Sequence, residues 1–460
     1  MLHYMKSSLV PLLAALCCSP VAMADRPEYR IGRTITVARV WPGHPVGFDL
    51  LTCGDRQYVA FYDAERRMTV GARRLGEDAF RLVRLPERLG WDSHNSIRMA
   101  VDEDGCLHLS GNMHCVPLKY FRTAKPHDVG TFKRLDRMTG RQERRVTYPH
   151  FFRGPKGELI FTYRDGGSGN GNQIYNVYDP ETKAWSRLLD KPLTDGQGRM
   201  NAYLHGPVQG PDGRFHLCWV WRDTPDCATN HDPSYAHSRD LRHWETAGGE
   251  PVTLPMTAET PGLVVDPVPA GGGVINGNVV LGFDSSGRPI VSYHKFDENG
   301  KTQIYNARFA DGKWHIHQVT DWDYRWDFGG GGSIEFDIRV GGVRAGPGGR
   351  LTQSYRHPKR GSGAWLLDPE TLKPVGRAPP RGPVVPKALR RPVSDFPGMA
   401  VRWRWSRGEG GKPGVRCALR WETLGPNRDR PRQGPLPEPS PLRLYEFRGP
   451  GLRLGSANRG

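Results

Sequence analysis

Gln173-Ile174-Tyr175-Asn176 occurs again as Gln303-Ile304-Tyr305-Asn306, and each copy begins ten residues after a tyrosine, Tyr163 in the first case and Tyr293 in the second. A string that repeats together with its offset marks an internal structural repeat. Working outward, each tyrosine closes an apolar run that follows a turn glycine: Lys156-Gly157 leads to Tyr163-Arg164, and Ser286-Gly287 to Tyr293-His294. The pattern recurs from Asp104-Gly105 to Met113-His114, from Asp212-Gly213 to Trp221-Arg222 and from Gly348-Gly349 to Tyr355-Arg356, with a fainter copy from Gly54 to Tyr62-Asp63. Further along, an Asp or Gly turn and a tryptophan follow, as in Asp179-Pro180-Glu181-Thr182-Lys183-Ala184-Trp185 and Asp311-Gly312-Lys313-Trp314.

The turn glycines Gly54, Gly105, Gly157, Gly213, Gly287 and Gly349 are spaced somewhat over 50 residues apart. That length holds four short strands and their connections. A composition of 57 Gly and 40 Pro with 13 Trp and 16 Tyr fits short strands and tight turns. The expected fold is therefore all-β, a seven-bladed β-propeller of four-stranded antiparallel blades over residues 25–447. Six units are visible. A seventh comes from Ala400-Val401-Arg402-Trp403-Arg404-Trp405 and Leu419-Arg420-Trp421, completed by the N-terminal strand Thr34-Ile35-Thr36-Val37-Ala38. Sharing one blade between the two ends removes exposed sheet edges. Ser238-Arg239-Asp240-Leu241-Arg242-His243-Trp244 resembles the aspartate-box turn of sialidase-like propellers, with Arg242 where that turn carries glycine.

Residues 1–24 have the layout of a cleaved export signal: Lys6, an apolar run from Leu9 to Leu16, then Ala22-Met23-Ala24. The chain is accordingly expected in the periplasm or outside the cell, lipid attachment at Cys17 being the less favoured alternative. No other stretch approaches the roughly 20 apolar residues of a membrane helix, so no membrane span is expected. Pro379 to Pro397 is rich in Pro and Arg and reads as a linker, and residues 448–460 as a disordered tail. Cys53, Cys106, Cys115, Cys218, Cys227 and Cys417 remain after the signal and show no small disulfide framework, so a bridge or a metal role for a pair stays open. A net charge of +17 points to an acidic partner. In an exported protein that is an anionic polysaccharide rather than nucleic acid, and a monomer is expected.

In a propeller, equivalent positions point to equivalent places around the axis. His114, Arg164, Arg222, His294 and Arg356 should then converge in a cationic funnel. Arginine grips a carboxylate bidentately, which suits a uronate sugar. Hydrolysis by the usual scheme needs two carboxylates flanking the bond, and the repeat positions supply few. Uronate β-elimination needs instead a base for the C5 proton, a cation on the carboxylate and an acid for the leaving oxygen, and histidine, tyrosine and arginine supply all three.

The motifs Trp91-Asp92-Ser93-His94-Asn95-Ser96, Ser110-Gly111-Asn112-Met113-His114-Cys115, Val146-Thr147-Tyr148-Pro149, Tyr163-Arg164-Asp165-Gly166 and Trp219-Val220-Trp221-Arg222-Asp223-Thr224-Pro225-Asp226-Cys227 resemble the BNR-repeat, propeller-type polysaccharide lyases. That group includes ulvan lyases and the rhamnosyl-glucuronate lyases of gum arabic and arabinogalactan. The resemblance covers nearly the whole mature chain. It implies elimination at a site made of His94, His114, Tyr148 and Arg164, with Arg222 as a second cation and Tyr163 as the alternative tyrosine. His114 or Tyr148 takes the C5 proton and the other serves as acid. Asn95, Asn112, Tyr163, Trp221 and Arg356 are expected to bind substrate. The activity expected is cleavage of an L-rhamnosyl-α-1,4-D-glucuronate bond, leaving an unsaturated uronate. A sialidase-like exo-hydrolase and a non-catalytic glycan-binding propeller are the alternatives.

The chemistry needs no cofactor. Cys227 and His231, four residues apart, could join His294 in a structural zinc or calcium site. Gly166-Gly167-Ser168-Gly169-Asn170-Gly171 lacks the helix and Lys-Ser/Thr of a phosphate loop and reads as a flexible loop after the Arg164 strand.

Overall fold

A computed structural model describes residues 27–378 and 383–449. The export signal and residues 450–460 of the expected tail lie outside the described residues, while Arg448 ends the last strand, Ser440–Arg448. The turn glycines of the repeat hold the left-handed backbone that a tight turn requires, with φ from 57° at Gly54 to 83° at Gly157. Each joins two strands of an antiparallel hairpin, so the repeated phrase is the turn and second strand of a four-strand meander.

Three such meanders are separate sheets: Asp49–Cys53, Arg56–Tyr62, Arg67–Arg74 and Arg81–Arg88; Ile97–Val101, Leu107–Gly111, Tyr120–Thr123 and Phe132–Leu135; Val146–Arg153, Leu159–Gly167, Asn170–Asp179 and Ala184–Arg187. A five-stranded sheet runs from Asn201–Gln209 through Phe215–Arg222 and Asn230–Ser238 to Trp244–Glu245 and Pro251–Val252. A nine-stranded sheet combines two meanders, one from Val280–Phe283 to Lys313–Gln318 and one from Arg339–Val340 to Pro374–Arg377, joined by one parallel pair, Phe283 with Arg344. In the last sheet the N-terminal strand Arg30–Val40 pairs with Ser440–Arg448, followed by Val415–Leu424 and Met399–Trp405. The two ends of the chain thus share one sheet.

The two literal copies differ in register by one residue: Tyr163 faces Ile174, whereas Tyr293 faces Tyr305 rather than Ile304. A side-chain period of two makes that slip consequential. Gln173 accordingly donates to Thr162 while Gln303 donates to Asp297. The segment at residues 238–244 forms a tight turn closed by its aspartate. Asp240 Oδ1 accepts from the backbone of Arg242 and His243, each at 2.8 Å, and Trp244 is buried.

Apolar layers fill the space between neighbouring sheets. One links the first two meanders to the last sheet, where Phe48 stacks on Trp421 with centroids 4.5 Å apart. Another is built on Phe215–Arg222, a strand buried along its whole length, with Trp219 and Trp221 inside. Each such side chain contributes about 1.5–3 kcal/mol of burial. All six cysteines named above are free. Among the described residues no helix is long and apolar enough to cross a membrane. Residues 379–382 of the expected linker lie outside the described residues; the rest packs on the last sheet, where Glu422 accepts from the backbone of Val393 and Ser394.

Candidate active site

A cleft of about 310 Å³ opens where the starts of Val146–Arg153 and Asn201–Gln209 meet the ends of Leu159–Gly167 and Phe215–Arg222; its walls include His94, His114, Tyr148, Tyr203 and Arg222. Tyr148 sits in a break of the ladder between Thr147 and His150, with φ 58° and the residue 38% exposed. A non-glycine residue in that region is strained, and such strain concentrates at functional sites. The bulge turns the ring out of the sheet and over the cleft.

Under that ring lies Arg164, 2% exposed, its guanidinium carbon 4.9 Å from the Tyr148 centroid. Its nitrogens donate to Gly166 O, Tyr203 Oη, Thr147 Oγ1 and Cys115 Sγ. Arg222 donates to the carbonyls of Thr224, Pro225 and Asp226 and, at 3.3 Å, to Tyr203 Oη. Tyr203 therefore stands between two guanidiniums. None of these acceptors is a carboxylate, and among the described residues neither arginine forms an ion pair. Two buried cations without an anion are costly unless a ligand supplies one.

The histidines come from two turns of the next meander. His94 and His114 stack with centroids 4.2 Å apart, and His94 lies 5.8 Å from Tyr148. Asp92 bridges them: its Oδ1 meets His94 Nδ1 at 2.7 Å and the His94 backbone N–H at 2.8 Å, and its Oδ2 meets His114 Nδ1. Burial works against the charge on Asp92, but the hydrogen bonds from His114 and His94 outweigh it and hold the carboxyl far below the usual range. An ionised carboxylate only accepts. Both Nδ1 atoms therefore carry hydrogen, and each ring keeps Nε2 for other work. Asp429 adds a second anchor 3.4 Å from His94 Nδ1, while accepting from the backbone of Ser93 and Ser333.

Tyr148 remains protonated at neutral pH. Loss of water, the largest influence, and the Tyr203 hydroxyl raise its pKa well above 10, while Arg164 and Arg222 oppose that rise.

The structure thus gathers His94, His114, Tyr148, Arg164 and Arg222. It does not gather the other expected residues. Asn95 is buried, its carbonyl accepting from Tyr62 Oη, and Asn112 is turned onto Glu87 and the Arg88 carbonyl. Tyr163 is core, its hydroxyl on the Arg141 carbonyl, and Trp221 is packed between sheets. Arg356 reaches the Phe336 carbonyl and does not line the cleft. His294 is wholly buried against Trp326 and Phe328, so two of the five recurring positions stay out of the funnel. The reason is local: blade loops differ in length, so equal phase along the strand does not place side chains equally.

The metal trio is likewise not assembled. His231 is held between Asp223 and Asp232, each at 2.9 Å, and Cys227 lines the cleft while His294 lies in the aromatic layer. Among the described residues, only Asp92, His94 and His114 bring three ligand-type atoms within 4.8 Å of one another.

Asp92, Tyr203 and Asp429 were missed by the sequence reading. Asp92 stands inside the quoted motif two residues before His94, which was a usable signal. Nothing local marks Tyr203 or Asp429.

Residues 56–322 match the BNR repeat-containing family. Ulvan lyases of Alteromonas sp. (strain LOR) are similar in sequence. The long isoform is 30% identical over 121 residues, 24% of this chain and 12% of that protein. The short isoform is 27% identical over 125 residues, 24% and 23% of the two chains. The chain thus spans less than a quarter of the length of these curated relatives. In three dimensions the chain is similar to the polysaccharide lyase Uly1, with TM-score 0.57, 15% identity and coverage of 91% and 99%. A PL25 ulvan lyase gives TM-score 0.59 at 13% identity, with coverage of 91% and 96%. The chain belongs to the BNR repeat-containing family and has the fold of the propeller-type polysaccharide lyases.

Proposed function

We propose that the chain is a polysaccharide lyase that cleaves a uronate-containing anionic polysaccharide of the ulvan type by β-elimination. The observation that carries the reading is the pair of carboxylate-free guanidiniums, Arg164 and Arg222, beside a protonated tyrosine and two histidines oriented by Asp92. The similarity to ulvan lyases supports it, as does a PL25 ulvan lyase structure with bound -[GlcA(1-4)Rha3S]-.

In this reading Arg222 and Arg164 neutralise the substrate carboxylate and render the C5 proton acidic. His114 Nε2 takes that proton. The C5–H electrons form the C4=C5 double bond, the C4–O4 bond breaks, and O4 leaves with the Tyr148 proton. The products are an unsaturated uronate and a new hydroxyl end; solvent returns the proton from the His114 imidazolium to the Tyr148 phenolate. The two-carboxylate hydrolase scheme finds less support, because Asp92 and Asp429 are both engaged by His94 and by backbone N–H groups.

The finer parts of the proposal are a rhamnosyl-glucuronate linkage, of gum arabic or ulvan, as the bond cut, and a ring of seven blades with the nine-stranded sheet counting as two. The enzyme acts outside the cytoplasm as a monomer and uses no metal in the chemistry. Ultraviolet absorbance of the conjugated uronate tests the reaction. Wild type should generate it from ulvan, and Tyr148→Phe should lose it while keeping the fold; sugar release without the absorbance refutes elimination.

A further inference from the structure

Where the strands Asp49–Cys53, Ile97–Val101, Val146–Arg153 and Met399–Trp405 approach one another lies a second group of cations that the proposed reaction does not use. Tyr148 and His150 both face solvent, whereas Pro149 between them is buried. His150 resumes the ladder opposite Thr162, two residues after the Tyr148 bulge. Around it stand Arg98, Arg404 and Arg407. The residue keeps an open face, but the protein atoms crowded around it strip hydration from the ring, and this first, then the charges of Arg98 and Arg407, push the His150 imidazole down to about 4.

One carboxylate serves these three arginines, and it is fully occupied. Asp49, completely buried, accepts from Arg404 Nη2 at 2.7 Å, from Arg404 Nε at 3.2 Å, from Arg407 Nε at 3.1 Å and from Arg407 Nη2. It also accepts from the backbone of Leu50 and Met99. Arg98 makes one hydrogen bond, from Nη1 to its neighbour's carbonyl, Ile97 O, at 3.1 Å. Its other N–H groups have no protein acceptor among the described residues. Arg404 and Arg407 keep 26% and 34% of their side-chain surface open, so water and small solutes reach the group. Three guanidiniums against one saturated carboxylate leave an excess of positive charge, with spare donors on Arg98.

We infer that Arg98, Arg404, Arg407 and His150 form a binding site for a tetrahedral oxyanion, separate from the Arg164–Arg222 pair. Arg98 presents the open donors, Arg404 and Arg407 supply field while fixed on Asp49, and the neutral imidazole adds a hydrogen-bond donor. The ligand is either a free sulfate or phosphate ion or a sulfate ester of the bound polysaccharide.

The full chain is titrated with sodium sulfate against sodium chloride of equal ionic strength. Wild type should show a saturable rise of about 1–3 °C in melting midpoint with sulfate, and Arg98→Gln should lose it. Equal rises in both proteins, or none in wild type, overturn the site. Should Arg98→Gln not fold, the His150 ring resonances of wild type decide: they shift saturably with sulfate if the site exists and stay fixed if it does not. These readouts need no turnover, so they stand apart from the fate of the lyase reading. Kinetics then separates the sources. Sulfate that raises KM in wild type but not in Arg98→Gln identifies a substrate sulfate, and sulfate that binds without changing KM identifies a free ion.

Discussion

Replacing Asp92 by Asn tests the orientation of the two histidines. The carboxylate offers two acceptor oxygens, and each is taken by one Nδ1–H, with His94 Nδ1 at 2.7 Å. An amide of the same shape offers one acceptor and one donor. It satisfies one ring; the other must turn its proton to Nε2, which closes the lone pair meant for the substrate. If the affected ring is His114, the loss is that of a general base, about 10²–10⁴ in kcat. The wrong-tautomer effect of the equivalent change in the Ser-His-Asp triad is about 10⁴. The barrier should rise by roughly 3–5 kcal/mol. KM should stay within about threefold, because both oxygens are spent on histidines rather than substrate, which places the loss on the catalytic step. Initial rates from the uronate absorbance give kcat and KM, and a thermal melt verifies folding. A folded Asp92→Asn enzyme whose kcat is within about threefold of wild type refutes the assignment.

Arg222→Met should raise KM and lower kcat together, by about tenfold or more in kcat/KM, since carboxylate neutralisation acts in both the ground and transition states; unchanged kinetics would remove Arg222 from the site. Asp49→Ala should lower stability by about 3 kcal/mol, at the low end for breaking a buried pair because Arg404 and Arg407 stay partly solvated. Its sign with pH follows from the shift: burial raises the Asp49 carboxyl, but Arg407 and Arg404 outweigh that and lower its pKa in the folded state. The contribution is complete above the unfolded carboxyl value of about 3.9 and is lost as pH falls through the lower folded value. The gap in urea midpoint between wild type and variant should therefore close in acid, and a gap constant down to about pH 2 contradicts it. Chelation with EDTA should leave kcat unchanged, because hydrogen bonds already account for the Asp92, His94 and His114 arrangement; activity lost on chelation and restored by zinc would show that those atoms hold metal.

The meanders and their turns were legible in the chain because they are local. A glycine with positive φ, an alternating or wholly apolar run and a short hairpin act over ten or so residues, and Gly157, Gly213 and Gly287 mark their turns as the repeat required. That the two ends share one sheet was also readable, since incomplete units at the ends leave edges that only each other can cover, although Ser440–Arg448, the strand that pairs with Arg30–Val40, was not among those expected. His114, Arg164 and Arg222 were legible through the phase of the repeat, and His94 and Tyr148 only through the resemblance to the propeller-type lyases. Tertiary structure decided the rest, because convergence depends on loop length and register, which a repeat phase does not encode. It withdrew His294 into an aromatic layer and Trp221 into the core, and it left Cys227, His231 and His294 short of a common ligand geometry. It brought Asp429 from the far end of the chain to His94 and stood Tyr203 between Arg164 and Arg222. Residues hundreds of positions apart meet only once the sheets close, and neither composition nor spacing carries that distance.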